Sequence, residues 1–320
     1  MLTQLTEKLR LPVMASPMFL VSGPELVIAQ CTAGIIGSFP TLNARPAREL
    51  ENWLNRIDDA LASWDLSHPS MPAAPYAVNL IVHRSNDRLE KDLATCVAHR
   101  VPIVITSLGS RQDVYQAVHS YGGVVLHDVI HDGFARKAVD KGADGLIAVA
   151  AGAGGHAGTQ SPFALLQEIR EWFEGSLLLS GAIAHGRAIL AAQVAGADLA
   201  YVGSAFIAST EANAIDAYKQ MIVSSGASDI IYSSAFTGVH GNYLRGSIEA
   251  AGLDPTDLSA GGSSKMDYGE AKAWRDVWGS GQGIGVVNAV RPVGAIVKRL
   301  TDEYTTACGR LSVHRPGLSR

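Results

Sequence analysis

The sequence predicts an α/β fold, a (β/α)8 TIM barrel with a smaller helical excursion over its mouth. Three observations predict it. Short apolar runs alternate with longer amphipathic ones eight times before about residue 225. Most of the short runs are continuously apolar, as strands buried on both faces should be. No reversal signal interrupts the series, which favours closure over the rival open, doubly wound sheet. With 320 residues, 47% of them apolar, the chain has ample material for a closed core.

The elements follow in order. Strands are expected at 11–15, 34–38, 76–82, 102–106, 123–127, 145–149, 177–180 and 199–203. Helices are expected between and after them at 24–32, 47–64, 86–100, 111–121, 132–141, 162–173, 186–195 and 211–225. Ser85 and Ser110 precede two of these helices, and Ser161-Pro162 joins a cap residue to a first-turn proline. Gly34, Gly122, Gly142 and Gly196 each stop a helical run and open the approach to a strand. After about Ser225 the rhythm changes. Residues 226–270 read as a helical substrate-side subdomain with a helix near 244–251 and no clear strand pair, while 1–225 and 271–320 form the barrel. Within that last part, 271–278 reads as helix, 279–285 as a glycine-rich loop and 292–306 as a final amphipathic helix.

Composition narrows the function. Net charge is only −4 and no Lys/Arg run is present, so the electrostatic footprint of a nucleic-acid binder is missing. Cys31, Cys96 and Cys308 lie far apart without ligand spacing and read as ordinary thiols in a reducing compartment. No stretch approaches the ~20 apolar residues a membrane helix needs, and the start has no secretory pattern. A cytoplasmic protein is expected, with no membrane or metal partner.

In a barrel of this kind function sits where the C-terminal ends of the strands meet. Glycine at a strand end, followed by a helix start, exposes backbone N–H groups that can wrap a phosphate. Gly181 and Gly203 stand at the seventh and eighth strand ends, where such sites recur. After the sixth strand comes Gly152-Ala153-Gly154-Gly155-His156-Ala157-Gly158, in which small residues surround one imidazole and leave room for a flat ligand. Histidine is suited to proton transfer near neutral pH, so His156 is the candidate catalytic residue; the bland alternative is a histidine that only stiffens its loop.

Three patterns are discounted. Gly152-x-Gly154-x-x-Ala157 fits a dinucleotide fingerprint formally, but Ser161-Pro162 starts the helix too late. His127 and His131 mimic a zinc HxxxH, yet the spacing spans a strand end and a loop. The GSGQGIG cluster at 279–285 says little alone, and the later aromatic residues, among them Tyr201, Tyr243, Trp274 and Trp278, are chiefly core candidates.

These segments together resemble the nitronate monooxygenases (2-nitropropane dioxygenases), FMN-dependent barrels related to NAD(P)H:quinone reductases and flavin-type enoyl-ACP reductases. The resemblance rests on PVMASPM, AVNL, AAGAGGHAG, LSGAI, GADLAYVGSAFIAS and WGSGQGIG, spread over nearly the whole chain. It implies that Pro17 and Met18 lie against the isoalloxazine and that Asn79 and Thr106 contact the flavin or its ribityl chain. Gly181, Gly203 and Ser204 would hold the phosphate, and His156 would be the active-site histidine. Ala15, His127, Gly155, Ser180 and Ala182 complete the expected cofactor-binding set. There are departures: Asp128 stands where some relatives carry lysine, Ala182 where many carry a second glycine, and Ser204 where threonine is frequent. The implied activity is oxidation of alkyl nitronates, and of nitroalkanes, by O2 to carbonyl compounds and nitrite. The alternatives are an NAD(P)H-dependent FMN reductase of quinones or enoyl thioesters, and a flavin-free barrel for a phosphorylated metabolite.

Overall fold

Eight short runs rich in Val, Ile, Leu and Ala lie side by side as one parallel sheet in the structure, a computed structural model that describes residues 6–7, 9–258 and 272–313. The strands are β1 (Val13–Ala15), β2 (Gly37–Pro40), β3 (Tyr76–Ile81), β4 (Ile103–Ser107), β5 (Val124–Val129), β6 (Gly145–Val149), β8 (Ser176–Ser180) and β9 (Leu199–Val202), with the two-residue β7 (Gly155–His156) between β6 and β8. Their order is β1-β9-β8-β6-β5-β4-β3-β2, and every pairing is parallel. Ala15 N–H donates to Ile36 O at 2.7 Å and Ile36 N–H to Val13 O at 3.1 Å, which brings β1 back to β2 and closes the ring. The second strand sits three residues later than expected, because Gly34 turns the chain at φ +87° and only then does it join the sheet.

Helices α1 (Pro24–Thr32), α2 (Glu49–Ser67), α3 (Leu89–Ala98), α4 (Gln112–His119), α5 (Asp132–Asp140), α6 (Pro162–Arg170) and α7 (Gly186–Val194) follow their strands as the periodicity predicts. After β9 come the short α8 (Ser204–Ile207) and α9 (Asp216–Ser224), the latter starting five residues later than expected. Ser161-Pro162 does open α6. Ser85 and Ser110 do not open theirs: Ser85 Oγ turns to His83 Nδ1 at 2.8 Å, and α3 and α4 begin after Arg88 and Arg111.

Alternation along each strand divides the core. Met14, Ile36, Ile105, Leu126, Ile147 and Leu178 fill the inside of the barrel. Residues of opposite parity, such as Val13, Val104, Val125 and Ala148, pack outward against the helices. Both faces are therefore dry, which is why the runs read as continuously apolar.

The excursion differs from expectation. Within 226–258 the described residues hold one 3-10 turn, the antiparallel pair β10 (Ile230–Ser233) and β11 (Gly241–Leu244), and α10 (Arg245–Ala250). β11 also pairs antiparallel with β7, joining Gly241 to His156 and Asn242 to Gly155. This ribbon is a strand pair where none was expected. Its partner β7 is two residues long and lies some 85 residues earlier, so no local pattern announces it. The expected helix at 271–278 is α11 (Lys272–Arg275), with 259–271 outside the described residues, and α12 (Val293–Val313) ends the described chain. α12 packs on α7 so closely that a Cβ at Gly186 would lie 2.2 Å from Tyr304 N and 2.5 Å from Leu300 O.

Candidate functional site

The C-terminal ends of the strands and the β7–β11–β10 ribbon enclose a cavity of about 910 Å³ at the barrel mouth. Pro17, Met18, Asn79, His127, Gly155, His156, Ser180, Gly181, Ala182, Gly203 and Ser204 all lie on its wall. Two expected residues do not. Ala15 is buried in the barrel closure, its carbonyl accepting from Ser38 Oγ at 2.6 Å. Thr106 points outward to the helix layer, where its Oγ1 meets His127 Nδ1 at 2.7 Å and Tyr115 Oη at 3.4 Å. Its link to the cavity is through His127.

Glycine lets four loops meet here. Gly152 O accepts from Ala182 N–H at 3.2 Å and from Gln282 N–H at 2.9 Å, and Gly281 N–H donates to Ser204 Oγ at 2.8 Å. A Cβ at Gly281 would stand 2.6 Å from Gly152 O, and one at Gly181 would stand 2.8 Å from Ala151 O at a backbone φ of +148°. The 279–283 segment, uninformative as sequence, thus ties the His156 loop to the turns after β8 and β9. Ala182 adopts φ +54°, the left-handed region where glycine is at ease. With Leu20 and Leu108, it is one of three non-glycine residues held there in loops around the mouth, at a cost of ~1 kcal/mol or more each. Strain of this kind persists where the surroundings over-determine the backbone.

His156 is carried by the ribbon. Its Nε2 lies 2.9 Å from Thr237 Oγ1, in the β10–β11 connection, and Trp274 meets the ring edge-on with centroids 5.5 Å apart. The Thr237 hydroxyl proton is directed to Val239 O at 3.0 Å, a pure acceptor. The tautomer that satisfies both contacts has His156 donating from Nε2 to Thr237 Oγ1, and its Nδ1 then carries the lone pair with no hydrogen-bond partner among the described residues. Burial pushes the imidazole pKa down to about 4, so the ring is neutral near pH 7. His127 is likewise pushed down to about 4, by burial and then by the charge of Lys141. His131, its partner in the zinc-like pattern, accepts from Phe134 N–H and caps α5.

Sequence reasoning missed other features. Asp128, noted only as a departure, faces the cavity with its pKa raised to about 6 by burial. Counting by twos along β5 from the interior Leu126 would have placed it inside. Thr237 had no signal at all.

An α/β barrel with a glycine-built cavity and a neutral imidazole at its C-terminal mouth defines the class: a (β/α)8 enzyme working with a ligand at that mouth. The chain matches the nitronate monooxygenase family over residues 2–303 and belongs to it. It is an oxidoreductase, and FMN is the cofactor of that family. A nitronate monooxygenase of Paraburkholderia phytofirmans is 24% identical, with 94% of each chain covered. A carboxyl-CoA dehydrogenase of Rhodococcus jostii, acting on a hydroxy-methyl-oxo-octahydroindene substrate, is 24% identical over 71% of this chain and 61% of that protein. Among solved structures, a nitroalkane oxidase from Streptomyces ansochromogenes superposes with a TM-score of 0.77 at 23% identity, covering 96% of this chain and 99% of that one. FabK from Thermotoga maritima gives 0.78 at 23% identity, with 98% of each covered. At these identities the structural likenesses speak for the fold. No described helix is long and apolar enough to cross a membrane.

Proposed function

We propose that this enzyme oxidises nitroalkanes and their alkyl nitronates with O2, releasing a carbonyl compound and nitrite. The observation that carries this reading is the state of His156: half-buried, neutral, and held through Nε2 at Thr237 Oγ1 so that Nδ1 is the nitrogen open to substrate in the tautomer that also keeps the Thr237–Val239 bond. A neutral imidazole can remove the α-proton of a nitroalkane, whereas attracting a preformed nitronate anion by charge would need the protonated ring. The geometry therefore favours the general-base role of the two.

The cavity wall suits FMN. A Cβ would stand 2.8 Å from Ala151 O at Gly181 and 3.1 Å from Ser16 Cβ at Gly203, so both turns are tight, and Ser204, already accepting from Gly281 N–H, keeps its own hydroxyl proton to donate to a phosphate oxygen. Pro17 and Met18 offer an apolar surface for a flat ring, and Asn79 a polar edge. FMN held by these residues would supply the electron-accepting chemistry and its link to O2. The chain supplies the rest. The α-proton moves to Nδ1, the resulting imidazolium stays bonded through Nε2–H to Thr237 Oγ1, and its charge balances the anion formed beside it. Trp274 packs edge-on against the His156 ring and helps to hold it in place.

The test is His156→Asn in the FMN-loaded protein. Flavin content should persist, while nitrite release from neutral nitroalkane falls about 10²- to 10⁴-fold, the usual worth of a positioned acid–base group. Preformed nitronate, which needs no deprotonation, should lose less. Unchanged nitroalkane turnover would remove His156 from the mechanism. Rapid bleaching of the flavin by NADH, with quinone turnover and no nitrite from any nitro compound, would replace this reading by the reductase one.

A further inference from the structure

Three polar side chains stand together at the mouth end of the barrel interior. Period-two alternation, which places Ala77, Ile105 and Leu126 in the interior, places Asn79, Ser107 and Asp128 there as well, on the adjacent strands β3, β4 and β5. They form a chain: Asn79 Nδ2 donates to Ser107 Oγ at 2.7 Å, and Ser107 Oγ–H donates to Asp128 Oδ2 at 2.6 Å. All three line the cavity. Asp128 Oδ1 is buried without a hydrogen-bond partner among the described residues, and Tyr201 enters the same cavity from β9 with its hydroxyl beside Ser16.

A buried carboxylate oxygen left unpaired is costly, and no arginine or lysine among the described residues pairs with this one. The titratable groups around it are few. Tyr201 on β9 feels its charge, His127 on the same strand lies at the cavity wall with Nδ1 turned to Thr106 and Tyr115, and His83, Lys137, His156 and His240 share the cavity. Ser107 is the one donor that favours its charged form. Such a group stands poised between its ionised and neutral states, with its balance set by whatever charge enters the cavity.

We propose that Asp128 is a proton-linked redox-tuning residue of the flavin: ionised, it disfavours reduction of FMN in this cavity, and on reduction it takes up a proton. The proposal rests on FMN occupying the mouth cavity and not on which substrate is oxidised. Two electrons entering the flavin place negative charge in a low-dielectric site already holding a carboxylate. The repulsion is relieved when one proton from solvent binds Asp128 Oδ1, so reduction consumes that proton in addition to the one the flavin itself takes.

The experiment is a potentiometric titration of the FMN-loaded protein by dithionite with mediator dyes between pH 5.5 and 8, for wild type, Asp128→Asn and Ser107→Ala. The neutral isostere should have the higher midpoint potential at pH 8, by at least a tenfold shift in the two-electron equilibrium, or about 30 mV. The two curves should converge as pH falls below about 6, where Asp128 is protonated in both redox states. Between those limits wild type should be steeper by up to a further tenfold per pH unit. Ser107→Ala keeps the carboxyl but removes its donor, and should move the convergence to higher pH. It tests the idea even if Asp128→Asn fails to fold. Coincident potentials and slopes across the range, or a Ser107→Ala curve superposed on wild type, would overturn the proposal. A purified protein that takes up no FMN would instead refute the cofactor placement.

Discussion

Replacing Thr237 by valine keeps the shape of the side chain and removes the hydroxyl that holds His156. Thr237 is buried, and its Oγ1 meets His156 Nε2 at 2.9 Å, Val239 O at 3.0 Å, and Tyr243 Oη and Val239 N–H more weakly at 3.4 Å each. His156 and Val239 lose that partner in the variant, and an unsatisfied buried polar group costs about 1–3 kcal/mol. The imidazole then has no reason to keep its proton on Nε2, so the base-competent tautomer loses about tenfold in relative population for each 1.4 kcal/mol withdrawn. The imidazolium formed on proton abstraction also loses a charge-assisted bond worth about 1.5–3 kcal/mol. Together these predict a fall of about 10- to 100-fold in kcat/KM for a neutral nitroalkane, with flavin content retained. The assay pairs steady-state kinetics with the ¹⁵N shifts of the His156 ring, which report the tautomer whatever the substrate. Thr237→Ser, which keeps the hydroxyl, should recover most of the rate. A folded, FMN-loaded Thr237→Val protein with wild-type kinetics and unshifted ring nitrogens would refute the reasoning.

With His156 pushed down to about 4, kcat/KM for a neutral nitroalkane should be flat from pH 6 to 7.5 and fall on one ionisation below about 5; a limb near pH 6.5 would contradict a base that rests neutral. Stability should also decline in acid. His127 and His156 are neutral when folded but protonated when unfolded between about pH 4 and 6.5, so each contributes stability that is full above 6.5 and lost as pH falls through 4, at about 1.4 kcal/mol per pH unit. Asp128 works the other way: raised to about 6, it contributes stability below about 4 that is lost as pH rises through 6, offsetting one histidine. His127→Gln should accordingly flatten the urea-unfolding free energy between pH 6.5 and 4.5 by about 1.4 kcal/mol per unit, and an unchanged slope would refute the assignment. Gly186→Ala should destabilise by about 1–3 kcal/mol, because its methyl meets Tyr304 N and Leu300 O of α12 at well under contact distance. Wild-type thermal stability would show that the α7–α12 approach is looser than described.

The barrel was legible because its strands are buried on both faces and its helices on one, so hydrophobic period alone separates them. Boundaries drifted where backbone geometry decides, as at Gly34, which turns before β2 begins. The cavity wall was legible in its glycines and in His156, residue types that mark close approach and proton transfer. What stayed hidden depends on contacts distant in sequence. Thr237 lies 81 residues from His156, and β11 finds its partner in a two-residue strand. The 279–283 loop gains its meaning only from Gly281 against Gly152 and Ser204. The family resemblance gave Thr106 a contact to the flavin or its ribityl chain, but the parity of β4 turns it toward Tyr115 and His127.

A crystal structure of the FMN-loaded protein tests the central claim most directly. The account requires the phosphate within hydrogen-bond reach of the turns at Gly181 and Gly203–Ser204, and the isoalloxazine beside the His156 ring. A flavin bound with its phosphate elsewhere, or with its ring remote from His156, would contradict it.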